Sequence, residues 1–158
     1  MGALLAALIA AAAAVMPVLP GTQAPQLVAK AAGKKARPAV LHFWATWCEA
    51  CRDEFPALRP GLLKLTERGV GVLLVSIDQP QDRQKAQEML ARYQLLALPA
   101  VLIDSPDPDP VLRAVGEPKW DGTLPATFVF DEKGKLRRSF VGRADPAALE
   151  AAIRAITR

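Results

Sequence analysis

AVLHFWATWCEACRDEF, residues 39–55, decides the fold. Residues 39–45 are an almost unbroken apolar run of strand length, the pattern of a strand buried on both faces. Beyond them, Phe55, Leu58, Leu62 and Leu65 recur at helical spacing as far as Gly69, so residues 49–68 read as a helix. Pro56 and Pro60 are expected to kink or break it, because proline lacks the amide proton and crowds the preceding turn. Cys48 and Cys51 stand at the junction of strand and helix. There, unpaired amide groups and the helix dipole stabilise a thiolate, and the two-residue gap brings the second sulfur within reach of the first. The spacing points to a redox dithiol. Zinc would need two further ligands, and His42 is the only histidine. Covalent haem attachment would need a histidine where the chain has Arg52. A disulfide of purely structural role stays open.

Outward from this stretch, strands and helices alternate. Residues 26–36 read as a short helix closed by Gly33 and the basic group Lys34-Lys35-Ala36-Arg37. Residues 70–77 (VGVLLVSI) form a second buried strand. A helix opens at Asp82 with Ala86, Met89, Leu90 and Tyr93 on one face. Residues 100–103 make a short strand, and SPDPDP, residues 105–110, reads as turn or loop. Residues 126–130 and 135–141 form a hairpin around Asp131-Glu132-Lys133-Gly134. Asp145-Pro146 caps a last helix with the apolar stripe Leu149, Ile153 and Ile156. This order predicts an α/β domain, a mixed sheet with helices on both faces.

Length and composition agree. The 158 residues suit one core, and 51% apolar against 23% charged residues excludes a disordered chain. The net charge of +4 is carried by scattered basic residues, so a nucleic-acid surface is not expected. A single histidine excludes multi-histidine metal sites and argues against a Ser-His-Asp triad. No charged residue precedes Lys30, and residues 3–19 are almost wholly Ala, Leu, Ile, Val and Met. They read as a secretory apolar segment, followed by small and polar residues at 21–24 where a peptidase could cut. An uncleaved membrane anchor and a buried alanine-rich helix are the alternatives, and the positive residues that usually open such a leader are missing. The expected division is a signal peptide or anchor over residues 1–24 and one domain over 25–158, with the protein exported.

From about Ala39 to its end the chain resembles the thioredoxin superfamily. FWATWCEACRDEFPAL, residues 43–58, is similar to the exported TlpA/ResA-type thiol–disulfide oxidoreductases associated with cytochrome c maturation. The resemblance implies a thioredoxin-like α/β fold with an inserted helix–strand segment, matched here by residues 79–103. It implies that Pro125, in Leu124-Pro125-Ala126-Thr127-Phe128, is a cis-proline beside the dithiol. It also implies that Pro56 kinks the active-site helix, and that Glu54 matches an acid held near the dithiol. Two features depart from the family. Residues 25–37 look too short and too helical for its opening hairpin. His42 stands where thioredoxins place a buried Asp and exported relatives often an Asn.

The site expected from these readings has Cys48 as attacking thiol and Cys51 as resolving thiol. Pro125, Leu124 and Trp47 hold the substrate, with Trp47 exposed and Trp44 turned inward. Glu49, Glu54 and His42 tune the dithiol. A carboxylate at Glu49 disfavours the thiolate and shifts the couple toward reduction, and a neutral His42 accepts the proton of Cys51. Trp120 could border the groove. The expected activity is reduction of protein disulfides by a monomer, with no metal or organic cofactor, supplied with electrons by a membrane dithiol carrier. A disulfide-forming oxidase and a non-catalytic binding module are the alternatives. A peroxidase is not expected, since neither cysteine lies in a Pro-x-x-x-Thr-x-x-Cys context.

Overall fold

The computed structural model describes residues 14–157. In chain order its elements are β1 (Val18–Pro20), α1 (Leu27–Ala32), β2 (Ala39–Trp44), α2 (Glu49–Glu67) and β3 (Gly71–Ser76), followed by α3 (Arg83–Arg92), β4 (Ala100–Asp104), α4 (Asp109–Val115), β5 (Ala126–Phe130), β6 (Leu136–Val141) and α5 (Pro146–Ile156). The strands make one sheet in the order β1-β4-β3-β2-β5-β6. The first four run parallel; β5 is antiparallel to β2, and β6 to β5. This is the expected mixed sheet of a thioredoxin-like fold, with the α3–β4 insertion contributing the strand between β1 and β3.

Every residue of β2 and β3 is buried, which explains their unbroken apolar character. The two-residue period sorts their side chains between two cores. Val40, Trp44, Val72, Leu74 and Val129 pack with Phe55, Leu58 and Leu62 of α2, Ala86 and Leu90 of α3, and Leu149 and Ile153 of α5. Leu41, Phe43, Leu73, Val75, Phe128 and Phe130 pack with Leu27 and Ala31 of α1 and Val111 and Val115 of α4. Helix α1 approaches the start of β3 so closely that a Cβ on Gly71 would run into the Ala31 carbonyl.

The short helix expected within residues 26–36 is α1, closed at Gly33 as expected, with a 3-10 turn over Gly21–Gln26 ahead of it. Three local expectations need correction. Helix α2 is not broken at Pro56 or Pro60. Both prolines lie on its exposed side, where the loss of an amide hydrogen bond is tolerated. The proline-rich 105–110 stretch leads into a helix, because Pro110 occupies its first turn, where no amide bond is lost, and Gly116 closes it at φ 75°. Lastly, the boundary expected at residue 24 is not the boundary of the fold. Val18, Leu19 and Pro20 pair in register with Leu102, Ile103 and Asp104, and Met16 and Ala24 are buried. Residues 1–13 of the expected leader lie outside the described residues. Among the described residues no helix is long and apolar enough to cross a membrane.

Candidate active site

Strand β2 ends at Trp44, and the chain turns at Ala45–Cys48, closed by the Cys48 amide donating to the Ala45 carbonyl at 3.2 Å. Cys48 is the N-cap of α2. Its Sγ accepts a hydrogen bond from the Cys51 amide at 3.1 Å, one of the amides the helix start leaves free. Cys48 and Cys51 are joined in a disulfide with their Cα atoms 5.3 Å apart. Cys48 keeps 7% of its surface exposed and Cys51 none. The two cysteines are thus unequal: both pack in the α2-side core, but only Cys48 reaches its surface.

The turn is held by a residue that the sequence reading missed. Asp78, just past the end of β3, is 2% exposed. Its carboxylate accepts from the Thr46 amide at 3.1 and 3.0 Å, from the Thr46 hydroxyl at 2.6 Å and from Ser76 Oγ at 2.7 Å. Arg52 donates to the Thr46 carbonyl at 3.3 Å. Thr46 is therefore tied at its amide, hydroxyl and carbonyl, while the next residue, Trp47, is 65% exposed. Signals for this clamp were faint: an Asp after a buried strand looks like an ordinary turn residue until the strand's neighbour is known.

A buried polar group lies between β2, β5 and α2. His42 on β2 is fully buried, and its Nδ1 is 2.9 Å from Thr127 Oγ1 on β5, the residue directly opposite in register. Its Nε2 faces Glu54 Oε1 at 3.5 Å. Glu54, one helical turn after Cys51, is 4% exposed, and its Oε2 accepts from the Ala144 amide at 2.6 Å. Neither His42 Nε2 nor Glu54 Oε1 has a hydrogen-bond partner. Burial drives both groups toward their neutral forms. It lowers His42 to about 4, and it raises Glu54 to about 7 against the opposing pull of the Ala144 amide and Arg143. The pair is therefore not an ion pair at neutral pH.

The remaining expected residues fall at the same end of the sheet, with one exception. The Leu124–Pro125 peptide bond is cis. Phe43 pairs with Ala126, so one step further Pro125 stands at the level of Trp44, where β2 gives way to the dithiol turn. Pro125 is buried and Leu124 half-buried. Glu49 is exposed in the first turn of α2, and Trp44 is fully buried. Trp120 does not border a groove. It is 5% exposed, stacks 4.9 Å from both Phe43 and Phe128, and donates its indole N–H to the Thr123 carbonyl. Among the described residues no cluster of His, Cys, Asp and Glu could hold a metal ion.

A helix-capping dithiol after the central strand, with a cis-proline opening the antiparallel neighbour, is the arrangement of the thioredoxin superfamily. More narrowly, the chain belongs to the AhpC/TSA family, whose model matches residues 18–139. It is 31% identical over 102 residues to the thiol-disulfide oxidoreductase ResA of Geobacillus thermodenitrificans, covering 65% of this chain and 53% of that protein. It is 29% identical over 136 residues to the thiol:disulfide interchange protein DsbE of Pseudomonas aeruginosa, covering 80% and 63%. The chain thus spans between about half and two thirds of these relatives' length. The crystal structure of a DsbF homologue from Corynebacterium diphtheriae shares the fold, with a TM-score of 0.65 at 20% identity over 81% of this chain and 75% of that one.

Proposed function

We propose that this protein is an exported thiol–disulfide oxidoreductase that reduces disulfides in other proteins. The observation that carries the reading is the inequality of the two cysteines, one at a helix N-terminus that keeps some surface bonded to one that is fully buried. In the reduced protein the Cys48 thiolate attacks one sulfur of a substrate disulfide. The substrate S–S bond breaks, the departing sulfur takes a proton, and Cys48 is left in a mixed disulfide. Cys51 then gives up its proton and attacks Cys48 Sγ, and the second substrate thiol leaves. Two electrons have passed to the substrate, and the protein holds the Cys48–Cys51 bond. A dithiol donor, taken here to be a membrane carrier, restores the reduced form by the reverse exchange. No metal or organic cofactor enters any step.

Pro125 and Leu124 support the substrate backbone, since a proline leaves its neighbours' hydrogen-bonding groups free for an incoming strand, and exposed Trp47 offers an apolar contact. Glu49 holds the couple toward reduction. For the proton of Cys51, Glu54 is better matched to neutral pH than His42, because its pKa of about 7 lets it both take and return a proton. His42, neutral and tied to Thr127, stands 3.5 Å from the free Glu54 oxygen, and the Ala144 amide holds the other. Export rests on the uncharged apolar run before Lys30. Because β1 starts at Val18, a leader or anchor compatible with this fold ends upstream of Ala14. Substrates on the path of cytochrome c maturation fit the likeness to ResA and DsbE. The test is capture: Cys51→Ser should accumulate mixed disulfides through Cys48 with exported proteins. A variant that captures nothing, while Cys48 is freely alkylated, sinks the reading.

A further inference from the structure

The two ends of the sheet differ in chemistry. Strands β1 to β4 run parallel and so begin at one end, and the pairing of Ala39 with Phe130 brings the β5–β6 turn there too. The dithiol follows the other end of β2. At the starting end lie the α1–β2 connection, the last turns of α2 and α3, and the turn after β5. Exposed there are Lys34, Lys35, Lys64, Arg92, Lys133 and Lys135. Among the described residues none of the six is paired with a carboxylate. The acids of this end are in part committed: Asp131 is bound by Arg137 and by the Lys133 and Lys135 amides, and Glu150 by Arg68. Glu67, Glu132 and Glu88, which lines the hollow beside Val15 and Leu96, are exposed acids without a cation partner among the described residues.

The exposed large apolar residues divide in the same way. Trp47 and Val141 lie at the dithiol end, whereas Val15, 61% exposed, and Leu96, 47% exposed, lie at the starting end. Val15 and Leu96 line a common surface hollow with Gln87. Gln87 donates to the Ala14 carbonyl and accepts from the Met16 amide, which fixes where the chain enters the domain. Immediately upstream the sequence carries no charge and is almost wholly apolar.

We propose that this end is a membrane-facing surface that lies on an anionic lipid bilayer. Lys34, Lys35, Lys133 and Lys135 meet the lipid phosphates, and Val15 and Leu96 enter the headgroup layer beside the apolar leader. The dithiol then faces away from the lipid, toward soluble partners. Cations near an anionic surface are attracted within a Debye length, and exposed apolar side chains add interfacial affinity, so the contact should be strong only where both are present. The inference deepens the exported reading, and for the leader's place in the membrane it rests on it.

The experiment compares co-sedimentation of the full chain with vesicles of phosphatidylcholine alone and vesicles with about 30% phosphatidylglycerol. Wild type should prefer the anionic vesicles, and the preference should fade as salt is raised from about 0.1 M to about 1 M. Charge reversal at Lys34, Lys35, Lys133 and Lys135 together should remove that preference, a loss on the order of a hundredfold in partitioning. Leu96→Ser should weaken binding without changing its salt dependence. Arg143→Glu, the same kind of reversal at the dithiol end, should leave it intact. Alkylation of Cys48 in the reduced protein should proceed equally with and without vesicles. Anionic binding that survives the fourfold reversal, that is lost equally in Arg143→Glu, or that shields Cys48 overturns the proposal. Binding to the neutral vesicles reads the leader separately. Its absence would count against the anchor and leave the basic face standing.

Discussion

His42 and Glu54 are both held neutral by burial, yet their titrations act on stability with opposite sign. Glu54 rises from 4.5 to about 7 on folding, so the native state holds an extra proton between those values. Its contribution is present below 4.5 and is lost as pH climbs through 7. His42 falls from 6.5 to about 4, so its contribution is present above 6.5 and is lost as pH falls through 4. In the wild type the two slopes largely cancel where they overlap, each having a reach of about 3 kcal/mol. Glu54→Gln should unmask the histidine, with the urea midpoint climbing more steeply than wild type from pH 4 to 6.5. His42→Asn should unmask the glutamate, with a midpoint that declines from pH 4.5 to 7. Midpoint curves parallel to wild type in both variants would remove the burial-driven shifts. Asp78 belongs to the same scale. Asp78→Ala leaves the half-buried Thr46 amide without its acceptor and should cost about 1–3 kcal/mol, while Thr46→Ser, which keeps amide and hydroxyl, should stay near wild type in the same urea titration. The dithiol was legible because both cysteines lie within one short motif. Asp78 was not, since its partner Thr46 is 32 residues away and only the β2–β3 pairing makes them neighbours.

At the scale of elements, what could be read from the sequence depended on length and uniformity. Strands β2 and β3, six buried residues each, carry a signal that no helix of the same length would imitate with those flanking turns. Strand β1 has three residues, too few for any periodicity, and it follows an apolar run that continues without a break in composition. Its membership in the sheet comes from β4, a strand more than eighty residues later. The prolines misled for the opposite reason. Their local effect on hydrogen bonding is real, but in α2 both fall on the exposed side, and neither breaks the helix. The importance of β1 can be measured by comparing chains that begin at Ala14 and at Gly21. The first should unfold in urea like the full chain. The second loses the strand and the buried Met16 side chain, so its stability should fall by at least about 2 kcal/mol, the worth of one large apolar side chain. Equal midpoints would show that β1 is dispensable.

At the scale of the whole molecule, one end of the sheet carries the dithiol, and the other carries six exposed cations that have no carboxylate partner among the described residues. That separation makes the dithiol a site addressed from solvent, with its two sulfurs met in order. Cys48 has the only surface of the pair, so limited iodoacetamide treatment of the reduced protein should modify Cys48 first, as peptide mapping would show. Preferential modification of Cys51 would reverse the assigned roles. The same geometry bears on the direction of electron flow. A couple is oxidising when its reduced form gains a strongly stabilised thiolate, as the helix N-terminus offers Cys48. In the proposed reading Glu49, exposed in the first turn of the helix, opposes that gain. The dithiol is then held less as a thiolate than as a thiol, which favours donation of electrons. Equilibration with glutathione should place the couple on the order of −250 mV or lower, toward the thioredoxin end of the range. Glu49→Gln should raise it. A wild-type potential above roughly −180 mV would place the couple with the disulfide-forming oxidants and reverse the direction proposed for this site.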